Sequence, residues 1–346
     1  MNSKIYIIAE MAYSHDGSVG LAKKIVQNAA DAGANAISIH ITHVPSYMTV
    51  HYKTGKGRVS EGKDVKPMYE YLDEISLSFD EWKEVVKTVR EHKLDLMIMP
   101  NDKASLDFSY NLQPDSYVIP LSSFDEYDFV KEVGNRKIPV YLRVGGATIG
   151  EIETVINILY ERDNKQVVLL YGHQNYPTEI DDVNLQFLTC LKNTFGLPVG
   201  IADHVDADDD FATIAPLLSI PLGVSCIEKH ITYDRSEKGE DFESALNKEE
   251  FKTMVERIRK AEKALSKKSL FDFTSSTKLY RDNLRKRVVA ARDIKAGEPI
   301  TEDMIICKRS DEGLFPSKIE TICGLVPLRD IKKDQGIVWE LFCQEP

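Results

Sequence analysis

The sequence has few of the features that mark secreted or membrane proteins. Its five cysteines are scattered and none forms a CxxC pair, which argues against a disulfide framework or zinc knuckle and predicts free thiols in a reducing compartment. No apolar run approaches the length of about 18 residues needed to span a bilayer. The opening MNSKIYIIAEM lacks a long apolar stretch with a small-residue cleavage site. We therefore expect a cytoplasmic protein.

Positive charge is also scarce. The chain has 44 Lys and Arg against 55 Asp and Glu, a net charge of -11. Such a surface repels nucleic-acid phosphates and anionic lipids, so neither is expected as a partner. An anionic small molecule would need a local group of cations or a metal ion. The 346 residues suffice for one barrel-sized domain and a small second one.

Short β-branched runs alternate with longer segments of helical periodicity over the first 265 residues. Because parallel neighbouring strands need crossover helices, this alternation predicts a parallel sheet. Eight repeats in about 250 residues favour an α/β fold of the closed (β/α)8 TIM barrel type. A doubly wound open sheet is the alternative, although no GxGxxG follows the first run. The runs are 5–9, 36–41, 94–99, 117–120, 140–143, 167–171, 199–201 and 223–227, and the helical segments are 19–32, 79–91, 149–161, 183–195 and 249–265.

The remaining segments differ in composition. Residues 266–286 are rich in Ser, Thr, Lys and Asp and are predicted as a linker, and residues 287–346 show turn signals and alternating apolar positions, which indicate a small β-rich domain. The barrel is predicted to span residues 1–265. Residues 44–75 form a basic, glycine-rich and then aromatic insertion after the second run. It is either a surface excursion or a lid over the barrel mouth.

Two histidines end the last two predicted strands, where the active sites of such barrels gather. These are His204 in GIADHV and His230 in CIEKHI. Neighbouring strands lie about 4.8 Å apart, so the two imidazoles can meet over one point. Together with oxygen ligands they would suit a divalent metal such as Mn²⁺, Zn²⁺, Fe²⁺ or Co²⁺. The alternative is two ordinary polar residues at a barrel rim.

Other strand ends carry charged candidates. Glu10 is the only carboxylate of an apolar first strand, and a lone buried acid is costly unless paired or neutral. Glu10 is a candidate for carrying a proton during catalysis, and Lys229 is a second catalytic candidate. The alternative is that Glu10 and Lys229 form a structural ion pair. Arg143 ends the fifth strand and is a candidate anion clamp, the alternative being a pair with Glu10 or Glu228.

Several stretches resemble the N-acetylneuraminate (sialic acid) synthase family. They read IAEMAYSHDGSVGLAKKIVQNAADAGANAI, LRVGGATIGEIETVINIL, NYPTEIDDVNLQFLTCLKNTFGLPVGIADH and IEKHITYDR followed by GEDFESAL. VVAARDIKAGEPITEDMIICKRS resembles the family's C-terminal SAF, or antifreeze-like, domain. The resemblance implies condensation of phosphoenolpyruvate with an N-acetylated sugar to a nonulosonic acid. It also implies a divalent metal, commonly Mn²⁺, and a homodimer in which the SAF domain of one chain covers the partner's barrel.

The resemblance also implies roles for particular residues. His204 and His230 match the metal ligands, and Glu10 matches the acid near the reacting centre. Asn175 and Tyr176 match a sugar-contacting pair. Arg309 matches the arginine of the SAF domain that reaches the partner's sugar.

The chain departs from the family at the positions that hold phosphoenolpyruvate. The family's Lys-x-Gln is Ser38-Ile39-His40 here, and its Ser-Thr-Pro is Ile98-Met99-Pro100. Val118 stands at the position of a family lysine. Three family serines are replaced by Leu121, Arg143 and Ala202. Phosphoenolpyruvate carries roughly three negative charges, and each buried charge needs countercharge or hydrogen bonds. Val118 and Leu121 supply neither.

Three hypotheses follow. The first is a nonulosonate synthase with a rebuilt donor site. The second is a metal-dependent lyase, aldolase or isomerase of the same fold that does not use phosphoenolpyruvate. The third is a non-catalytic paralogue that binds a sugar. The rebuilt donor site of the first hypothesis would use Arg143, His40, His173 and the insertion residues Lys53, Lys56 or Arg58.

Overall fold

The computed structural model describes residues 4–52, 67–266 and 272–343. The chain divides into two compact units, Met1–Ser266 and Lys267–Pro346. The division lies within two residues of the predicted end of the barrel.

The first unit contains a closed barrel of eight parallel strands, each paired with the next and the last with the first. Closure aligns Tyr6 with Cys226 and Glu10 with His230. The TIM-barrel prediction is confirmed, and the open-sheet alternative is wrong. The strands are β1 (Tyr6–Ala12), β2 (Ala36–Ile41), β3 (Asp95–Pro100), β4 (Ser116–Ile119), β5 (Val140–Arg143), β6 (Val167–Tyr171), β7 (Val199–Asp203) and β8 (Cys226–His230).

The last strand differs most from its predicted range. It was expected at residues 223–227 and begins at Cys226. Gly223 has a φ of 85° and ends the turn that precedes the strand. A glycine in this left-handed conformation belongs to the turn, so the chain becomes extended only beyond it.

Successive strand residues point to opposite sides of the barrel wall. The interior is filled by one apolar group, and the outer positions pack under the helices in a second, larger cluster that contains Ile7, Ile37 and Ile227. Both sides of the wall are therefore dry, as expected for parallel strands covered by helices. The buried residues of the interior group are Ile8, Ala36, Met97, Met99, Val118, Leu170, Ala202 and Cys226.

Ten helices are described in the first unit, and the five predicted segments are among them. The best-marked is α4, where Ser78 forms a capping box with Glu81 and the apolar stripe faces the core. Segment 183–195 becomes helical only at Gln186. The helices are α1 (Val19–Ala32), α2 (Val44–Tyr47), α3 (Met68–Ile75), α4 (Phe79–Glu91), α5 (Lys103–Tyr110), α6 (Tyr127–Asn135), α7 (Ile149–Glu161), α8 (Gln186–Phe195), α9 (Phe211–Ser219) and α10 (Lys248–Ala264).

The insertion at residues 44–75 begins with α2 and ends with α3. These two helices share a small apolar cluster in which Val44 packs with Tyr71, Leu72 and Ile75. Lys53, Lys56 and Arg58, the predicted insertion cations, lie outside the described residues. The lid interpretation of this segment therefore stays a prediction.

The second unit contains an antiparallel pair, β9 (Arg287–Ala290) and β10 (Ile305–Lys308), and two helices, α11 (Ser275–Leu284) and α12 (Ile319–Ile322). Its core is separate from that of the barrel and includes Val288, Ile294 and Ile331. The predicted linker at 266–286 includes helix α11. The side chain of Thr274 caps that helix by accepting a hydrogen bond from the amide of Thr277.

Among the helices of the two units, as far as the structure describes them, none combines the length and apolar character needed to cross a bilayer.

Candidate active site

Ionisable side chains gather inside the barrel at the carboxyl ends of its strands. Glu10 comes from β1, His40 from β2, Arg143 from β5, and Glu228 and His230 from β8. All five are buried, none being more than 8% exposed. Because these residues occupy interior positions of their strands, barrel closure brings side chains from distant parts of the sequence to one place.

Arg143 bridges two carboxylates. Its Nη2 lies 2.7 Å from Oε2 of Glu10 and 2.7 Å from Oε1 of Glu228. Glu10 Oε1 accepts a hydrogen bond of 2.8 Å from the amide of Ala12 and lies 3.4 Å from Nε2 of His40. Glu10, Arg143 and Glu228 are called the Arg143 cluster below. The pairing that the sequence left as an alternative for Arg143 is thus present, with both acids.

The two carboxyls of the cluster differ in their tendency to ionise. Burial alone would raise the pKa of Glu10, but the neighbouring His40 and Arg143 hold it well below its usual range. Burial raises the pKa of Glu228 to about 8, because the opposing effect of Arg143 is partly offset by the negative charge of Glu10. At neutral pH Glu10 is therefore ionised, and Glu228 favours its protonated form.

His204 and His230 form a pair of buried imidazoles with ring centroids 5.1 Å apart. The ring of Tyr176 meets both edge-on, at centroid distances of 5.0 Å and 5.4 Å. All four imidazole nitrogens lack a well-formed hydrogen bond among the described residues, and the backbone of His173 approaches His204 closely enough to act against the lowering of its pKa. Burial lowers the pKa of both rings, that of His230 to about 3, so they stay neutral at pH 7, the form that ligates metals.

The two imidazoles fit a metal ion, although the protein supplies only part of a ligand set. Buried nitrogens without hydrogen-bond partners are unusual in native proteins and mark a place for a ligand or ion. In residues 4–52, 67–266 and 272–343 no group of three or more His, Cys, Asp or Glu side chains converges for metal binding. The described residues therefore supply two imidazole ligands for a metal ion and leave its other coordination positions to oxygen ligands.

Lys229 is not brought to the Arg143 cluster. Because residues 228 and 230 face the barrel interior, residue 229 faces the outer side of β8. There its Nζ lies 2.6 Å from Oδ2 of Asp203 and 3.0 Å from the carbonyl oxygen of Val205. The alternative pairing of Glu10 with Lys229 is therefore wrong, and Lys229 instead joins β7 to β8 behind the imidazole pair.

The other predicted site residues are dispersed. His173 is half-buried beyond β6, with its ring centroid 5.8 Å from that of Tyr171. Asn175 is exposed, and its carbonyl accepts a hydrogen bond of 3.1 Å from the hydroxyl of Thr178. Arg309 belongs to the second unit, where its Nη2 donates to the carbonyl oxygen of Asn283 at 2.9 Å. Tyr176, by contrast, packs against both imidazoles, and the backbone of His173 lies beside His204.

One nearby acid was not predicted from the sequence. Burial raises the pKa of Asp241 well above its usual range, and the negative charges of Glu240 and Glu10 raise it further, against an opposing effect of Arg143. These electrostatic neighbours place Asp241 beside the Arg143 cluster. The sequence feature that could have pointed to Asp241 is its position in GEDFESAL, one of the stretches that carry the family resemblance.

A closed (β/α)8 barrel with ionisable residues at the carboxyl ends of its strands is the architecture of barrel enzymes. Residues 25–269, which include most of this barrel, match the NeuB family, and residues 285–342 match the SAF domain. The chain belongs to the NeuB family, which confirms the resemblance found in the sequence.

Individual relatives agree with this assignment. A pseudaminic acid synthase of Campylobacter jejuni subsp. jejuni is 30% identical over 333 residues, which cover 96% of this chain and 94% of the relative. An N,N'-diacetyllegionaminic acid synthase from the same organism is 27% identical, with 96% and 99% covered. The crystal structure of a sialic acid synthetase from Leptospira borgpetersenii matches with a TM-score of 0.69 and 23% identity, covering 82% of this chain and 93% of that one, which shows the shared fold.

Proposed function

We propose that the protein joins a three-carbon donor to the aldehyde of an N-acyl amino sugar, forming a carbon–carbon bond and giving a nonulosonic acid. The observation that carries this proposal is the similarity to a pseudaminic acid synthase across 96% of the chain. The buried ionisable groups at the barrel mouth support it, because carbon–carbon bond formation needs a polarised carbonyl and a positioned proton carrier.

In this proposal His204 and His230 hold a divalent cation, of which Mn²⁺ is the expected one. When bound, such a cation polarises a carbonyl oxygen as a Lewis acid. The proposal rests on four buried imidazole nitrogens that lack a well-formed hydrogen bond in the described part of the chain, since a neutral imidazole is a good ligand for first-row transition metals.

The protein's own side chains then orient the reactants. Glu10 keeps an ionised carboxylate fixed by the amide of Ala12 and by Arg143, as a proton carrier must be. Tyr176 covers one side of the imidazole pair and is proposed to contact the sugar, with Asn175 and His173 beside it. His40 is proposed to contact the donor from β2.

Two further features belong to the proposal. A cytoplasmic location follows from the free cysteines expected of the sequence. A homodimer, in which the SAF domain of one chain brings Arg309 to the sugar bound by its partner, follows from the family resemblance alone.

The test is a turnover assay on the full chain with Mn²⁺. N-acetylmannosamine and other N-acyl amino sugars are offered with phosphoenolpyruvate or pyruvate, and products are analysed by mass spectrometry. The proposal predicts a nonulosonic acid whose mass equals that of sugar plus a three-carbon acid unit. Turnover to a different product would support the lyase or isomerase hypothesis, and sugar binding without any turnover would support the non-catalytic paralogue.

A further inference from the structure

The backbone of His204 is held by residues from outside the barrel sheet. His204 lies one residue beyond the last aligned pair of β7 and β8, which is Asp203 with Lys229, so pairing of these strands does not hold it. Its carbonyl oxygen instead accepts two hydrogen bonds, at 2.8 Å from the amide of Thr178 and at 2.7 Å from the hydroxyl of Ser244. Because a side chain follows the backbone that carries it, these two donors hold the His204 imidazole in place.

Ser244 belongs to residues 239–246, which lie between β8 and α10 and are called the Asp241 loop below. This loop bonds to both residues of the imidazole pair. Ser244 bonds to His204, and the amide of Leu246 donates to the carbonyl oxygen of His230 at 2.9 Å. Ser244 and Leu246 are both buried. One loop therefore fixes the two imidazole-bearing residues relative to each other.

The other end of the Asp241 loop is bonded to the insertion. Glu240 accepts a hydrogen bond of 2.6 Å from the hydroxyl of Tyr71, a buried residue of α3. Between these two anchors Asp241 has a φ of 59°. A residue other than glycine keeps this left-handed conformation only where its surroundings hold it there. The anchors at Tyr71 and Ser244 therefore keep Asp241 beside the Arg143 cluster.

From these contacts we infer that Ser244 and Tyr71 are positioning residues of the barrel mouth. Ser244 holds His204 in the geometry that metal binding needs, and Tyr71 holds the Asp241 loop from the insertion. The inference rests on the metal site of the proposed function. Without the Ser244 hydroxyl, His204 keeps the amide of Thr178 as a donor, so the chain still folds. Its imidazole is then less well fixed, and a site made of two imidazoles depends on how both rings are placed.

Calorimetry with Mn²⁺ on the full chain tests the role of Ser244. Ser244→Ala should bind Mn²⁺ about tenfold more weakly than the wild type, as is typical when a group that supports a metal ligand is removed. Ser219→Ala is the matched control. Ser219 is equally buried, and its hydroxyl donates to the carbonyl oxygen of Pro216 at 2.6 Å, at the end of α9 that leads into the amino end of β8. Both variants should lower the melting temperature of the metal-free protein by similar amounts, so only the affinity for Mn²⁺ separates them.

Hydrogen–deuterium exchange of the metal-free chain tests the role of Tyr71. Tyr71→Phe removes only the hydroxyl, and peptides that cover the Asp241 loop should then exchange about fivefold faster, the effect of losing one hydrogen bond. Tyr69→Phe is the matched control, because Tyr69 is half-buried on the same helix. Its loop should exchange as in the wild type.

These measurements separate the inference from the proposed function. If the wild type binds Mn²⁺ and Ser244→Ala binds it equally tightly, the inference is overturned and the function stands. Unchanged exchange of the loop in Tyr71→Phe would also overturn it. Weakened Mn²⁺ binding by Ser244→Ala, without a nonulosonic acid from any sugar offered, would keep the inference and reject the function. A wild type that binds no Mn²⁺ would overturn the metal site and the inference with it.

Discussion

At the scale of single residues, the barrel mouth depends on charges that are paired before any substrate arrives. Arg143 is contacted by Glu10 and Glu228, and removing one partner of a buried ion pair leaves the others uncompensated. The imidazoles of His204 and His230 lie beside these charges but form no well-defined hydrogen bond with a described residue. The same small volume thus contains a neutralised cation and two free ligands.

The metal proposal is tested by His230→Ala. Removing one of two imidazole ligands should weaken Mn²⁺ binding by at least about tenfold, so that the purified variant retains little metal. Elemental analysis and calorimetry with Mn²⁺ measure this directly. His51→Ala is the control, since His51 is exposed. Unchanged metal content in His230→Ala would count against the site.

A second residue-scale prediction concerns His15. Its side chain is buried edge-on against Trp82, and its Nδ1 accepts a hydrogen bond from the amide of Gly17. Burial lowers its pKa to about 4, below the usual value of about 6.5 for unfolded chains. As pH falls from 6.5 to 4, the unfolded state binds the proton first, so stability is lost over that window.

The measurement is urea unfolding at pH 7 and pH 4.5 for the wild type and His15→Asn. The variant should lose less stability between the two pH values, by about 2 to 3 kcal/mol. Other buried histidines contribute equally to both proteins, so the difference isolates His15. Identical losses in the two proteins would show that His15 is not responsible.

At the scale of elements, the outer side of β7 and β8 stabilises the strands that carry the two imidazoles. Lys229 and Asp203 form an ion pair there, and both are buried. Lys229→Met should destabilise the protein by about 3 to 5 kcal/mol, because Asp203 is left as an uncompensated buried charge. Adding Asp203→Asn to that variant should recover part of the loss.

Chemical denaturation of the two variants and the wild type measures these effects. If the role of Lys229 is structural, the double variant should regain both stability and turnover. If Lys229→Met were as stable as the wild type but inactive, the residue would have the catalytic role first expected from the sequence.

Several elements could be predicted from periodicity, and the misses have physical causes. Alternation of strands and helices gave the barrel, since parallel strands require crossovers. Strand alternation also gives the outward direction of Lys229 once His230 is placed inside, but the sequence analysis did not apply it and grouped Lys229 with Glu10. Helix α11 was missed because its Ser-, Thr- and Lys-rich composition is typical of a linker, and none of its residues is buried. The contact of Arg143 with both Glu10 and Glu228 needs barrel closure, which local sequence does not encode.

At the scale of the whole molecule, the net charge of -11 opposes the approach of anionic compounds. The Arg143 cluster does not reverse this repulsion, because its cation is already paired. A bound divalent cation at the imidazole pair would be the largest local positive charge. In the proposed function, capture of an anionic donor by this barrel therefore depends on the bound metal ion.

The most direct measurement is a crystal structure of the full chain grown with Mn²⁺. We predict an anomalous manganese peak between the imidazoles of His204 and His230. Manganese bound elsewhere, or no manganese at this pair, would contradict the proposed metal site.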